Sequence, residues 1–163
     1  YWVDKGVDSK DVVLGVPFYG YEFKNDNTVN AHTWCAIVGY YPNNLNDDQV
    51  TTPNGILYYN GKITIATKTQ YAIDNAGGIM IWELGQDCIG VNSLLDVIID
   101  KMEEQCVNFC IQYVHNSLPK MCYLVKVFMK DIRLSWDQHS NYFSFHPLFL
   151  VFQLFFLLQH LLF

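Results

Sequence analysis

Two uninterrupted apolar runs constrain this chain more than any other feature. Asp11 to Tyr19 reads DVVLGVPFY, and Val12, Val13, Leu14 and Val16 follow one another without polar alternation. Gly78 to Leu84 reads GIMIWEL in the same manner. Strands of this kind suit a parallel sheet buried on both faces beneath helices. Pro17 ends regular pairing in the first run, because it offers no backbone donor. Between the runs, Thr64 to Asn75 reads as a helix with Ile65, Ala72 and Ile73 on its apolar side, ending at Asn75-Ala76-Gly77. After the second run, Asn92 or Ser93 caps a helix from Leu94 to about Gln105. Tyr1–Gly6 reads as the end of a preceding helix, with Gly6 as its stop. Strand, long connection, helix, strand, helix is a βαβα order, which places the chain in the α/β class.

The connection is the unusual part. Residues 21–61 are polar and turn-rich, with Asn-Asp-Asn at 25–27, Pro42-Asn43-Asn44, Pro53-Asn54-Gly55 and Asn60-Gly61. Only Ile56-Leu57-Tyr58-Tyr59 reads as a short strand. A loop of this length in a compact domain is generally functional.

Composition divides the 163 residues in two. All ten glycines lie at or before Gly90, and nine of the eleven phenylalanines lie at or after Phe109. Residues 1–105 carry a net charge of −8 and residues 106–163 a net charge of +2. We therefore expect one folded piece over 1–105 and a hydrophobic tail over 106–163. The overall charge of −6 gives no basic surface for nucleic acid. Residues 142–163 are long enough to cross a bilayer at about 1.5 Å per residue. Gln153, Gln159 and His160 count against that reading. The tail is thus open to three readings: a membrane helix, a soluble extension, or translation of unspliced or frameshifted sequence. The first Met is Met80, so an upstream stretch of polypeptide is expected.

Five cysteines at irregular spacing (Cys35, Cys88, Cys106, Cys110 and Cys122) do not read as a disulfide framework. Cys106 and Cys110 share a helix face with only His115 nearby, which reads as apolar filler rather than zinc ligation. No metal or cofactor is expected. No Asn-x-Ser/Thr acceptor occurs.

In βα barrels the chemistry gathers at the C-terminal ends of the strands. Here those ends carry Tyr19, Gly20 and Tyr21 after the first run. They carry Trp82 and Glu83 after the second, with Gln86 and Asp87 following. An indole with neighbouring polar groups suits a sugar, whose apolar face stacks on the ring while its hydroxyls take hydrogen bonds. Each residue also has a plain structural reading. Trp82 would serve core packing, Tyr19 would be a buried tyrosine with its hydroxyl satisfied, and Glu83 and Asp87 would belong to a solvated loop.

The stretch VDKGVDSKDVVLGVPFYGYEF, residues 3–23, closely resembles the seventh-strand region of glycoside hydrolase family 18, the chitinase family. Its core is Gly15-Val16-Pro17-Phe18-Tyr19-Gly20. GGIMIWELGQD, Gly77 to Asp87, resembles the eighth strand of that family, which ends in a Trp. YYNGKITIATKTQYAIDNAGG is similar to the connection that carries the seventh helix. The resemblance covers about residues 1–105.

It implies the last two βα units of a (β/α)8 barrel. It also implies a β-1,4-linked N-acetylglucosamine polymer, chitin or its oligosaccharides, as substrate. The implied mechanism is retaining and substrate-assisted, the substrate's own acetamido group attacking the anomeric carbon. Trp82 matches the floor of the subsite where the bond breaks, Tyr19 and Gly20 help to shape the cleft, and Glu83 borders it. Many members continue the first motif with Arg, where this chain has Tyr21. The Asp-x-x-Asp-x-Asp-x-Glu motif that supplies the acid is absent, and the resemblance puts the sixth-strand Met-x-Tyr segment that supports the acetamido group upstream of Tyr1. No catalytic residue is therefore expected in this chain, and the chain alone is expected to be inactive. Residues 21–61 fall where some members insert a small α+β subdomain. They are shorter than the full insertion, so a shallower cleft is expected. Secretion follows from the resemblance, while residues 142–163 would imply membrane association. The competing reading is a chitin-binding lectin that has lost its acid but kept Trp82.

Overall fold

The structure is a computed structural model and describes residues 1–113. Side chains from residue 106 onward lie outside the description. So do the Cys106–Cys110 pair, Cys122, His115 and the candidate membrane segment 142–163. Among the described residues no helix is long and apolar enough to cross a membrane.

The elements run β1 (Val13–Pro17), β2 (Tyr19–Lys24), β3 (Val29–Thr33), α1 (Trp34–Tyr40), β4 (Gln49–Thr52), β5 (Gly55–Tyr58), α2 (Lys62–Asn75), β6 (Gly78–Trp82) and α3 (Leu94–Tyr113). The two apolar runs pair in parallel, from Val13 opposite Gly78 to Pro17 opposite Trp82. Helix α2 crosses between them and α3 packs beside it. The protein is mixed α/β, as expected, and both helices begin within two residues of their expected starts. Helix α3 passes through residue 105, the expected end of the folded piece.

The helices cover only one face of the parallel pair. Val16 and Ile79 are buried with Ile65 and Ala72 of α2 and with Leu94, Ile98 and Met102 of α3. Val13, Met80 and Trp82 on the opposite face are exposed. Runs that read as buried on both sides are thus covered on one side among the described residues. Thr69 is fully buried in α2, and its hydroxyl is satisfied by donating to the Ile65 carbonyl at 2.8 Å. The expected helix end at Tyr1–Gly6 is a single 3-10 turn, Val3–Lys5, closed by Gly6 at φ 93°.

Residues 21–61 depart most from expectation. Instead of a loop with one short strand, they complete an antiparallel sheet of order β3-β2-β5-β4 and carry α1. The turn signals are hairpin corners. At the β2–β3 corner Asp26 accepts from the Thr28 amide and hydroxyl, and Asn27 takes φ 63°. At the β4–β5 corner Thr52 Oγ1 accepts from the amides of Asn54 and Gly55. Thr33 caps α1 by accepting from the Ala36 amide at 3.1 Å. The inner side of this sheet holds Leu57, which is buried with Trp34 and Ile37 of α1 and with Tyr59. The Tyr59 hydroxyl donates to the Asn44 carbonyl, and its pKa is pushed up to about 12 by burial and by the nearby Asp47 and Asp48 charges.

A second correction concerns the cysteines. Cys35 and Cys88 form a disulfide. Their separation of 53 residues is bridged because the start of α1 lies beside the segment that follows β6. Spacing along the chain carries no trace of such a long-range pair. The same segment is tied by Trp34 Nε1 donating to the Asn92 carbonyl at 2.7 Å. Lys62 Nζ donates to the Val91 carbonyl and to Asn92 Oδ1, each at 2.9 Å.

Candidate functional site

The C-terminal ends of β1 and β6 lie side by side, with Pro17 opposite Trp82. The backbone then locks them, because the Phe18 amide donates to the Trp82 carbonyl at 2.8 Å. Phe18 is fully buried, which anchors the junction between β1 and the antiparallel sheet. Trp82 is 57% exposed at this junction and is followed by a cis peptide to Glu83. Core packing, the plain alternative for Trp82, is not its role among the described residues.

Tyr19 is half-buried and meets Tyr21 edge to face, with ring centroids 5.4 Å apart. Gly20 lies against β5 and α1. A Cβ there would stand 2.6 Å from the Tyr58 carbonyl oxygen and 2.9 Å from Tyr59 Cβ, so any side chain would push the two strands apart. The absence of a side chain at Gly20 thus lets β2 pack closely on β5 and α1. Glu83 is partly exposed beside Trp82. The structure thus brings Trp82, Tyr19 and Glu83 to one junction and places Gly20 behind them.

Gln86 and Asp87 divide in role. Gln86 Oε1 is shielded from solvent and has no hydrogen-bond partner among the described residues. A buried acceptor of that kind calls for a donor. Asp87 is not in a solvated loop. One of its oxygens accepts from the Cys88 and Leu94 amides, each at 2.8 Å. The other accepts from the Ser93 hydroxyl at 2.8 Å and the Leu95 amide at 3.0 Å. Ser93 in turn accepts from the Asp96 amide at 3.0 Å and is the cap of α3. Burial pushes the Asp87 carboxyl up from the usual carboxylate range, and its four donors oppose that shift. Its work is to hold the start of α3 and the segment behind Trp82.

Two further groupings escaped the sequence reading. On the inner face of the antiparallel sheet, Glu22 accepts from the Thr52 hydroxyl at 2.6 Å and lies 3.2 Å from His32 Nε2. The Thr52 bond is the main reason its carboxyl is held below the usual range, with His32 adding to it against the cost of burial. On the outer face stand Tyr21, Phe23 and Tyr58. The alternation Tyr19-x-Tyr21-x-Phe23 was the available signal, since period two marks a strand with one aromatic face. Among the described residues no group of three or more His, Cys, Asp or Glu side chains is placed to hold a metal.

The family model for Glycosyl hydrolases family 18 matches residues 1–87, more than half of the chain. The chain belongs to glycosyl hydrolase family 18. The match spans both strand ends and the whole antiparallel sheet. Among solved structures, this family-18 chain is similar to the GH18 chitinase ChiB from the chitin utilization locus of Flavobacterium johnsoniae. The two share 41% identity at a TM-score of 0.59, over 64% of this chain and 32% of that one. The chain thus spans about a third of that family-18 structure. No curated protein matches.

Proposed function

We propose that this chain forms the last two βα units of a family-18 barrel. In this reading it supplies the sugar-binding floor of a chitinase-like active site. The observation that carries the reading is the exposed Trp82 at the C-terminal end of a parallel strand, inside the matched span. The indole presents a flat apolar face, and the partly exposed Glu83 next to it in the chain presents acceptors for hydroxyl or amide hydrogens. That combination suits an N-acetylglucosamine unit of a β-1,4-linked polymer. Tyr19 and Gly20 form the adjoining wall. The bare face of the parallel pair becomes the interior of the closed barrel, which accounts for strands apolar on both sides.

Hydrolysis in this reading is retaining and substrate-assisted. The proton comes from a carboxylic acid on another stretch of the polypeptide, since this chain lacks the acid motif. General acid catalysis contributes about 10²–10⁴-fold, so the 163-residue chain alone is inactive. In this reading the barrel piece is 1–105 and 106–163 is a hydrophobic tail. The Cys35–Cys88 disulfide supports an oxidising, secreted setting.

The test is binding of N,N′-diacetylchitobiose, followed by indole fluorescence, alongside release from a fluorogenic chitobioside. Trp82→Ala is expected to weaken binding about tenfold or more. Product release by the chain alone, or unchanged binding in Trp82→Ala, overturns the reading. Binding without cleavage by a polypeptide that carries the complete barrel would make the protein a lectin instead.

A further inference from the structure

The same labile dipeptide occurs twice, at Asn54-Gly55 and at Asn60-Gly61, and no other Asn-Gly step exists in the chain. Asparagine is a thermolabile residue, and before glycine it is most open to reaction with its own backbone. No side chain then shields the following amide nitrogen from the asparagine carboxamide. The fold requires glycine at both places. A Cβ at Gly55 would strike the Phe23 carbonyl oxygen of β2, and one at Gly61 would strike the Asp47 carbonyl oxygen. Close packing therefore keeps both labile steps in the molecule, and their surroundings set which of them reacts.

At Asn60-Gly61 both reacting groups are engaged. The partly buried Asn60 accepts at Oδ1 from Lys68 Nζ at 2.7 Å. The Gly61 amide donates to Asp48 Oδ1 at 3.0 Å. Gly61 is itself buried, and its carbonyl accepts from the Ile65 amide at 3.0 Å as α2 begins. At Asn54-Gly55 only the main chain is held. Asn54 is exposed at the β4–β5 corner, and its carboxamide makes no hydrogen bond among the described residues. The Asn54 and Gly55 amides both donate to Thr52 Oγ1, at 3.1 and 3.0 Å. The Asn54 carbonyl accepts from the Asn25 amide at 2.8 Å. Thr52 Oγ1 thus fastens the nitrogen that would attack, and the Thr52 hydroxyl is itself held by Glu22 at 2.6 Å.

We propose that Asn54-Gly55 is a self-modification site, converting to aspartate or isoaspartate, and that Thr52 holds its rate down. Asn60-Gly61 stays intact. In the reaction the Gly55 nitrogen loses its proton and bonds to Asn54 Cγ. The bond from Cγ to the carboxamide nitrogen breaks, and that nitrogen leaves with a proton as ammonia. Water then opens the cyclic imide at either carbonyl. Water enters and ammonia leaves, with no change in oxidation state. The product adds a carboxylate to a piece whose net charge over residues 1–105 is already −8. In the isoaspartyl form a methylene also enters the main chain beside Gly55, which pairs with Lys24. That end of β2 is the one away from Tyr19 and Trp82, so the inference stands apart from the sugar-binding reading.

Peptide mapping by mass spectrometry tests this after the whole chain is aged in mildly alkaline buffer made with heavy-oxygen water. The chain aged in urea gives the reference rate for each site. Relative to those references, Asn54 is expected to convert about tenfold faster than Asn60, or more, in the folded chain. Thr52→Ala is expected to speed conversion at Asn54 about tenfold while Asn60 keeps its rate. Thr52→Ser, which keeps the hydroxyl, is expected to restore the wild-type rate. Conversion at Asn60 as fast as at Asn54 overturns the site, and so does a folded chain that takes up no heavy oxygen at residue 54. An Asn54 rate unchanged in Thr52→Ala overturns the part given to Thr52. An equal rise at both sites in that variant assigns the rate to opening of the whole chain and overturns the proposal as well.

Discussion

Glu22 is a buried charged residue on the inner face of the antiparallel sheet. It joins three strands at once, through Thr52 on β4 and His32 on β3. Its carboxyl is held below its ordinary value, chiefly by the Thr52 hydroxyl. A lowered folded pKa means that the carboxylate stabilises the fold above the unfolded value of about 4.3. That contribution is lost as pH falls through the lowered value. Amide exchange in β2 and β4 is therefore expected to accelerate below about pH 4. In Glu22→Gln this acid limb should vanish. An unchanged acid limb in that variant would assign it to other carboxylates. Little of this was legible beforehand, because Glu22, His32 and Thr52 are far apart in sequence and carry no motif. Trp82 and Tyr19 were legible for the opposite reason. Each ends an apolar run, and a strand end is a local property of the chain.

Among the elements, the parallel pair and its helices were readable, and the antiparallel sheet was largely not. Unbroken Val, Leu and Ile runs point to parallel strands whatever lies between them. The sheet strands are four to six residues long and are separated by Asn-rich corners. Their turn signals outweigh their strand signals in any short window. Only Ile56-Leu57-Tyr58-Tyr59 stood out, because among these strands it alone has successive large apolar residues. Helix α3 was found from its apolar spacing and from Asn92 or Ser93 as its cap, of which the structure uses Ser93, but its second anchor at Asp87 was missed. Four donors on one carboxylate make that anchor costly to remove. Asp87→Ala is expected to lower the local opening free energy at the start of α3 by about 2 kcal/mol. Amide exchange at Leu94 and Leu95 should then rise roughly 30-fold. Exchange unchanged at both amides would show that Ser93 alone secures the helix start.

For the molecule as a whole, the bare face of β1 and β6 sets the behaviour in solution. Among the described residues these strands pair only with each other, while Val13 and Met80 stay exposed beside Trp82. Unpaired strand edges beside exposed apolar side chains favour association with other chains. The purified 163-residue chain is expected to aggregate or to melt without a sharp transition. A reversible, coincident melt by calorimetry and circular dichroism would contradict this. The disulfide acts against dispersal of the same chain. Cys35 and Cys88 close a covalent ring that contains most of α1 and all of β4, β5, α2 and β6. A protease cut at Lys62 or Lys68 would open a peptide bond inside that ring. The two products would stay attached until a thiol reductant reached the bridge, so a nicked molecule would keep Trp82 joined to the wall beside it.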